Sequence, residues 1–355
     1  MLRRATKKLL GNAAAAFDRA ATLAAYAQAA TSKKKSRAES LGHAERLESL
    51  AGLATEYPPD LPDFFRAPRS IAPTERHVRA IGRRGRVVDI AWPSDHVPLA
   101  AGLRDRWERA RQNQQVATRL YLHAAPRPVA ICIHGYMAGQ YAVEERMWPV
   151  EWLARIGLDV ALFVLPFHGL RASPERRGPP AFPGADPRVS NEGFRQAMGD
   201  LRDLVEWLLG RGHASVGVMG MSLGGYTTAL AATVEPRLSF AVPIIPLASL
   251  ADFARDQGRL GRTPAETALE HKALDAVHRI VSPLHRAALI EPRRILVVGA
   301  AADRITPVEH ARRLAHHFGA PLVTWHGGHL LQFGRGDGFR RIGRLLGELG
   351  VLRSR

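Results

Sequence analysis

The sequence predicts an α/β fold in which helices cover a mostly parallel sheet. From about residue 78 onward, short apolar runs of strand length alternate with longer segments whose apolar residues recur at helical spacing. One short run, residues 215–219, leads through a glycine-rich turn directly into a helical segment. With 355 residues and 46% hydrophobic content, the chain is long enough to form one large core.

The composition argues against several classes of protein. The formal net charge is +17, but the basic residues are mostly arginines spread along the chain without a recognisable nucleic-acid module, so we expect no nucleic-acid partner. No run of about 18 apolar residues is present, so a membrane-spanning helix is not expected. The single cysteine, Cys132, lies in an apolar run and is expected to be a small buried hydrophobe.

Residues 1–77 are predicted to form a helical extension followed by a linker. Residues 1–30 are alanine-rich, begin with basic residues and precede Lys33–Lys35. Their larger apolar residues fall loosely on one helical stripe: Leu9, Leu10, Phe17, Leu23 and Tyr26. A secretory signal and an organellar transit peptide fit this segment only in part. We expect a helix that packs on the main domain of a cytoplasmic protein, with peripheral membrane contact as the alternative. Residues 57–75 carry several prolines and indicate a linker or wrapping segment.

The main domain is predicted to span residues 78–355. Its predicted strands are residues 86–91, 118–122, 128–133, 158–165, 215–219, 240–245, 294–298 and 322–325. Its predicted helices are residues 143–156 with a break at Pro149, 191–209, 223–233, 265–289 and 339–349. The stretch between residues 245 and 294 is longer than one crossover helix requires, so residues 248–290 are a candidate helical cap.

Ser222 is the candidate nucleophile. It lies between a predicted strand and a predicted helix, in the sequence Gly220-Met221-Ser222-Leu223-Gly224. A serine exposed at such a tight turn needs small residues two positions before and after it, and Gly220 and Gly224 meet that need. The backbone N–H of Leu223 then points at the oxyanion that develops during attack. A glycine-rich structural turn is the alternative interpretation.

Asp303 is the candidate triad acid. On such a sheet the acid and then the base follow the serine along the chain, and Asp303 stands in the loop after the strand at residues 294–298. Thr306 is predicted to cap the next helix, with Pro307 as its first residue and Glu309 as the capping-box partner. This leaves Asp303 without a structural role, although an ordinary turn aspartate is the alternative.

His329 is the candidate base. It follows two glycines in the loop after the last predicted strand, a position from which it can fold back toward Ser222. His326, nearer the strand, is the alternative. The histidines at positions 310, 316 and 317 share one predicted helix, but no cluster of acidic or cysteine ligands accompanies them, so no metal site is expected.

The second oxyanion donor is expected in the loop His134-Gly135-Tyr136-Met137 that follows a buried predicted strand. The backbone N–H of Tyr136 is our choice, with that of Met137 as the alternative. The later segment 171–188 is long and rich in proline and arginine. It is either one wall of the substrate pocket, where an arginine such as Arg176 or Arg177 would favour an anionic substrate, or a solvated loop.

Four stretches resemble, in order, the landmarks of the α/β-hydrolase superfamily: His134–Tyr136, Gly220–Gly225, Gly299–Asp303 and Gly328–His329. Leu165–Gly169 is similar to the loop after the fourth strand in many esterase-like and peptidase-like members. The resemblance covers about three-quarters of the chain and leaves the first 75 or so residues without a counterpart. It implies an α/β-hydrolase fold with a mostly parallel eight-stranded sheet, and hydrolysis through an acyl-enzyme.

The sequence therefore predicts a serine hydrolase that cleaves a carboxylic ester or related acyl bond through Ser222, His329 and Asp303. The expected partner is a small-molecule or lipid-like acyl substrate, and this chemistry requires no cofactor or metal. A thioesterase, peptidase or acyltransferase would use the same residues, because the pocket selects the leaving group and the acceptor. A binding protein that has kept the fold without the chemistry is the alternative from another class.

Overall fold

The computed structural model describes residues 2–31, 41–82, 85–175 and 177–352, without the side chains of residues 2–5 and 22–31. Lys33–Lys35, Arg176 and the side chains of Leu23 and Tyr26 therefore lie outside the described residues. None of the described helices is long and apolar enough to cross a membrane.

A mixed sheet forms the centre of the described structure, with its strands in the order β1-β2-β3-β5-β4-β6-β7-β8-β9. The strands are β1 (Thr74–Ile81), β2 (Gly85–Pro93), β3 (Gln115–Leu122), β4 (Val129–Ile133), β5 (Asp159–Phe163), β6 (Val216–Met221), β7 (Ala241–Ile244), β8 (Val297–Ala300) and β9 (Leu322–Trp325). The pairs β1–β2, β2–β3 and β3–β5 are antiparallel, and the remaining pairs are parallel. The carboxyl ends of β4 to β9 consequently share one edge of the sheet.

The described residues thus form nine strands, where eight were predicted. The additional strand is β1, an edge strand that begins at Thr74, before the predicted start of the main domain. It was missed because six of its eight residues are exposed, so it lacks the apolar pattern of a core strand. Its stability comes from backbone pairing with β2, in register from Thr74 opposite Ala91.

The helices are α1 (Leu2–Thr31), α2 (His43–Glu56), α3 (Arg104–Arg109), α4 (Tyr141–Met147), α5 (Val150–Arg155), α6 (Pro187–Gly210), α7 (Leu223–Ala231), α8 (Leu250–Asp256), α9 (Pro264–His278), α10 (Val308–Phe318) and α11 (Arg335–Glu348). The predicted break at Pro149 is confirmed, because α4 ends and α5 begins on either side of it. The strand predicted at residues 294–298 begins later, at Val297.

Alternation along the central strand β4 creates two core layers. Val129, Ile131 and Ile133 face one layer, which contains the buried sides of α6 and α7. Ala130 and Cys132 face the other, which contains α4, α5 and α11. Cys132 is buried, as predicted, and burial raises the pKa of its thiol.

The larger apolar residues of α1 whose side chains are described do not form its buried face. Leu9 and Phe17 are 71% and 50% exposed, whereas Gly11, Ala14 and Asp18 are buried. Small residues at helical spacing let the backbone of α1 approach the sheet edge closely, which outweighs the weak stripe of larger residues. The helix does pack on the main domain, as expected.

Two further segments of the N-terminal region contact the main domain. Tyr57, in the proline-containing segment, is buried and donates a hydrogen bond to Glu192 of α6 at 3.0 Å, so this segment wraps the core. Helix α2 packs on α9, with Nδ1 of His43 3.0 Å from Oε1 of Glu270. Within the candidate cap, α8 and α9 pack against each other.

Candidate active site

Ser222 occupies a strained turn between β6 and α7. Its φ is 58° and its ψ is −114°, a conformation that non-glycine residues rarely adopt. The turn is also too tight for side chains nearby: a Cβ at Gly220 would lie 2.1 Å from the carbonyl oxygen of Gly224. A Cβ at Gly224 would lie 2.1 Å from the carbonyl oxygen of Ile133. The predicted strand–turn–helix arrangement is therefore present, and both glycines are sterically required.

Asp303 lies in the loop after β8 and is buried. Its Oδ1 accepts hydrogen bonds from the backbone N–H groups of Ile305 at 2.9 Å and Thr306 at 2.8 Å. Its Oδ2 lies 2.7 Å from Nδ1 of His329. Because a carboxylate can only accept, His329 donates from Nδ1 and its Nε2 retains a lone pair. The structure thus joins the predicted acid to the predicted base in the tautomer that a general base requires.

His326, the alternative base, lies elsewhere. Its ring packs beside Gly334, where an added Cβ would lie 2.6 Å from the imidazole. His329 is buried in the loop two residues beyond Gly327, within hydrogen-bonding distance of Asp303. The structure therefore pairs His329, and not His326, with Asp303.

The end of β7 connects Ser222 to the Asp303–His329 pair. The backbone N–H of Ser222 donates to the carbonyl oxygen of Ile244 at 2.9 Å. The next residue, Ile245, has a positive φ of 41°, and its carbonyl oxygen accepts a hydrogen bond from the Thr306 hydroxyl at 3.1 Å. Asp303 and His329 therefore contact each other directly, and Ser222 is linked to them through β7.

The capping role predicted for Thr306 is wrong. Helix α10 begins at Val308 with Pro307 as its N-cap, and no side chain caps it. The Thr306 hydroxyl instead lies 3.1 Å from Oδ2 of Asp303 and 3.0 Å from Nδ1 of His329. The hydroxyl proton is therefore directed to Asp303 or Ile245, and the side chain does not cap α10. Glu309 pairs with Arg312 on the same helix.

The loop after β4 lies against the nucleophile. A Cβ at Gly135 would be 3.5 Å from the Cβ of Ser222. Tyr136 follows with a half-exposed side chain whose hydroxyl donates to the carbonyl of Pro180 at 3.4 Å. Met137 has a positive φ of 63° and a side chain that is 70% exposed. The backbone next to Tyr136 and the start of α7 at Leu223 therefore both lie close to Ser222.

Two buried histidines support this loop, and neither was predicted from the sequence to have a role. His134 donates from Nδ1 to the carbonyl oxygen of Gly135 at 2.7 Å and accepts at Nε2 from the N–H of Leu165 at 3.0 Å. Burial lowers its pKa to about 4. His168 donates from Nδ1 to the carbonyl oxygen of Pro166 at 2.8 Å, and burial together with the neighbouring His134 lowers its pKa to about 3. The two histidines belong to the motifs His134–Tyr136 and Leu165–Gly169. Their presence in these motifs was the signal from which a role could have been predicted.

The loops after β4 and β5 interlock. A Cβ at Gly169 would lie 2.0 Å from the carbonyl oxygen of Gly139, so only glycine fits there. Arg171 is fully buried and donates to Asp200 of α6 at 2.8 Å, which anchors the second loop. Arg171, the first arginine of segment 171–188, is therefore paired with Asp200. Phe182, from the same segment, is buried with its ring centroid 6.1 Å from that of His168.

Comparison with known proteins gives family matches over parts of the chain. Residues 189–305 match the family described as X-Pro dipeptidyl-peptidase (S15 family), and residues 277–336 match the family described as TAP-like protein. The uncharacterized protein Rv2627c of Mycobacterium tuberculosis is 32% identical over 231 residues, which are 63% of this chain and 55% of the relative. The chain thus spans about half the length of the curated relatives it matches.

Solved structures with a similar fold include two acetyl xylan esterases. The enzyme from Paenibacillus sp. R4 has a TM-score of 0.53 at 14% identity, over 84% of this chain and 92% of that one. Acetyl xylan esterase 1 from Thermoanaerobacterium sp. JW/SL YS485 has a TM-score of 0.52 at 15% identity, over 85% and 93%. At these identities the likeness concerns the fold. Together, the mixed sheet with its helices, the family matches and these neighbours show that the chain belongs to the α/β-hydrolase superfamily.

Proposed function

We propose that the protein is a serine hydrolase that cleaves carboxylic esters, with Ser222 as nucleophile, His329 as base and Asp303 as acid. One observation carries the proposal: a serine with a strained backbone, φ 58°, is linked through the end of β7 to a buried carboxylate–imidazole pair. Strain of this kind at a serine between a strand and a helix is typical of a nucleophile elbow. The similar solved structures that are esterases and the match to a peptidase family support the same chemistry.

In the proposed cycle, Nε2 of His329 removes the hydroxyl proton of Ser222 as Oγ attacks the carbonyl carbon. Asp303 accepts a hydrogen bond from the Nδ1–H group and stabilises the imidazolium ion that forms. The tetrahedral intermediate collapses when the bond to the leaving group breaks and His329 returns the proton to that group. Water, deprotonated in the same way, then attacks the acyl-enzyme, releases the acid and regenerates Ser222.

The oxyanion is proposed to bind two backbone N–H groups, those of Leu223 and Tyr136. Leu223 is the first residue of α7, so the positive end of that helix adds to the stabilisation. Tyr136 follows Gly135, whose backbone lies against Ser222. Removal of one such donor in other hydrolases lowers kcat by about two to three orders of magnitude.

Exposed apolar side chains beside these groups favour an apolar acyl substrate. Met137, which follows Tyr136 in the oxyanion loop, is 70% exposed, and Leu330, directly after His329, is 45% exposed. Leu170, which follows the interlocked Gly169, is 46% exposed. A small or lipid-like ester would cover such surface, whereas a highly charged substrate would leave it in contact with water.

A fluorophosphonate probe tests the proposal, because it forms a stable bond only with an activated serine. The wild-type protein is expected to label and Ser222→Ala to remain unlabelled. Ser215→Ala, which removes a serine just before the opposite end of β6, is the matched control and should label like the wild type. Labelling that persists in Ser222→Ala would show that another serine is the nucleophile. Folded wild type that fails to label would favour the binding-protein alternative.

A substrate panel then separates reactions that share the triad. Esters of increasing acyl length, thioesters and aminoacyl amides would be compared by kcat/KM, and an added alcohol would reveal transfer in place of hydrolysis. We expect esters to exceed amides, and apolar acyl chains to exceed charged ones. A preference for amides would instead support a peptidase, the activity named for the family that matches residues 189–305.

A further inference from the structure

Asp18, in the middle of α1, places a buried carboxylate against both catalytic loops. The side chain is fully buried. Its Oδ2 accepts hydrogen bonds from the backbone N–H groups of His329 at 2.8 Å and Arg304 at 3.2 Å. Its Oδ1 accepts from the N–H of Leu330 at 3.0 Å. Arg304 directly follows Asp303, so one carboxylate binds the backbone of the acid loop and of the base loop at once.

Two glycines leave the space in which α1 and the base loop approach each other. A Cβ at Gly328 would lie 2.6 Å from Oδ2 of Asp18 and 3.1 Å from the Cβ of Ala14. A Cβ at Gly11 would lie 3.0 Å from the carbonyl oxygen of His326. A side chain at position 328 would therefore displace Asp18, and one at position 11 would crowd the base loop. The glycine that precedes His329 provides the space that Asp18 occupies, in addition to any freedom it gives the loop.

The contact is mainly polar. Leu9 and Phe17, two large apolar side chains of α1, are exposed, and the buried face presents Gly11, Ala14 and Asp18 to the loops. Such a face buries little apolar area, so hydrophobic packing contributes little to docking there. Hydrogen bonds to an ionised acceptor are shorter and stronger than those between neutral groups. Asp18 is therefore the part of this face that fixes the loops.

We propose that Asp18 is a positioning residue for the catalytic base: by holding the backbone of His329 and of Arg304, it sets the imidazole against Asp303. The inference rests on the proposed function and extends it, because it makes α1 a component of the active site. Asp18 does not touch the substrate. It acts through the position of His329, whose ring must be placed within a fraction of an ångström for proton transfer.

The test compares Asp18→Asn with Arg19→Gln, an exposed neutralisation on the same helix, in the full chain. An amide retains one acceptor oxygen but turns an NH₂ group toward a backbone N–H. The substitution therefore disrupts the hydrogen bonds to the two loops while conserving the shape of the side chain. We expect Asp18→Asn to lower the rate of fluorophosphonate labelling and kcat by about 10- to 100-fold, with KM changed little. Arg19→Gln should match the wild type. Circular dichroism gives the folded fraction, to which every rate is normalised.

Two readouts separate positioning from a general loss of structure. The proton NMR signal of the Nδ1–H that bridges His329 and Asp303 should shift or broaden in Asp18→Asn and stay unchanged in Arg19→Gln. Hydrogen exchange in the wild type should show protected amides at His329 and Leu330. A normalised labelling rate and NMR signal equal to those of the wild type would overturn the proposal, as would unprotected amides in the wild type.

The same readouts distinguish failure of this inference from failure of the proposed function. If the folded wild type neither labels nor turns over esters, the hydrolase proposal fails, while the NMR signal and amide exchange still report whether Asp18 positions His329. If the wild type labels and Asp18→Asn labels equally fast, the hydrolase proposal stands and the positioning role fails. Should Asp18→Asn not fold, amide exchange in the wild type decides the question.

Discussion

The hydroxyl oxygen of Thr306 lies 3.0 Å from Nδ1 of His329, beside the carboxylate that the same imidazole contacts at 2.7 Å. Its single proton has two acceptors within reach, Oδ2 of Asp303 and the carbonyl oxygen of Ile245, both at 3.1 Å. Thr306 therefore stabilises the acid and ties it to β7, the strand whose last residue also accepts a hydrogen bond from Ser222.

Thr306→Val is expected to lower both activity and stability. The substitution preserves the shape of the side chain but leaves the buried Ile245 carbonyl and Asp303 without this donor, a loss of about 1–3 kcal/mol. A less constrained Asp303 should lower the labelling rate by about 10-fold. Thr306→Ser retains the hydroxyl and should stay close to the wild type. Urea unfolding and probe kinetics measure both effects, and a Thr306→Val protein with wild-type labelling would contradict the role.

Ser222→Gly should abolish labelling and at the same time stabilise the protein. Glycine adopts the φ of 58° without the steric cost that serine has there, which is about 1–3 kcal/mol, less about 0.5–1 kcal/mol for its greater freedom when unfolded. Ser222→Ala also removes the nucleophile but retains the strain, so its stability should not rise in the same way. Thermal unfolding of the two variants compares them directly. Equal stability in both would mean that the turn stores no strain.

Gly169→Ala should destabilise the protein strongly and impair the oxyanion loop. The new Cβ would meet the carbonyl of Gly139 at 2.0 Å, and it would also have to adopt a φ of 45°. Gly258→Ala is the matched control, since Gly258 has a φ of 63° with no neighbouring atom within 4 Å. The control should lose about 1 kcal/mol from its backbone alone. Gly169→Ala should lose at least about 3 kcal/mol, because overpacking adds to that cost.

Stability should fall as the pH decreases below about 6.5. Burial lowers the pKa of His134 to about 4 and those of His168 and His278 to about 3. The unfolded chain therefore binds protons at these histidines before the folded one does. The stability that these histidines contribute is complete above their pKa in the unfolded chain. It is lost as the pH falls toward their pKa values in the folded protein. Each such histidine adds about 1.4 kcal/mol per pH unit to the fall in the free energy of unfolding.

His278 allows this to be measured away from the candidate site. Its Nδ1–H donates to Oδ1 of Asn191 at 2.7 Å, a bond that the amide of His278→Asn can imitate. Urea unfolding between about pH 7.5 and about pH 5 should show a shallower pH dependence in this variant than in the wild type. A slope identical to that of the wild type would mean that His278 does not titrate differently in the folded and unfolded states.

The local features of the fold and site were predictable because they depend on short-range geometry. A strand, a turn with small residues at Gly220 and Gly224, and a helix are recognisable from consecutive residues, and they place Ser222 between β6 and α7. Parallel strands bring their carboxyl ends to one edge, so the loops that carry Asp303 and His329 could be expected to meet there. Their catalytic roles remain predictions for the experiments above.

Polar contacts between distant segments were not predictable. Thr306 had the pattern of a helix cap, but Asp303, His329 and Ile245 surround its hydroxyl in the folded chain. The edge strand β1 was not predictable either, because it is held by backbone pairing and does not need an apolar pattern.

Asp18 shows the same limit most clearly. It is 311 residues from His329 in sequence, on a helix whose larger apolar residues suggested a different buried face. Periodicity reports which residues avoid water, whereas a buried carboxylate is stabilised by donors that only the folded chain brings to it. Apolar patterns in the sequence thus predict eight of the nine described strands and place Ser222, Asp303 and His329 in turns or loops after three of them. How α1 and Thr306 hold those residues in place depends on contacts that form only when the chain folds.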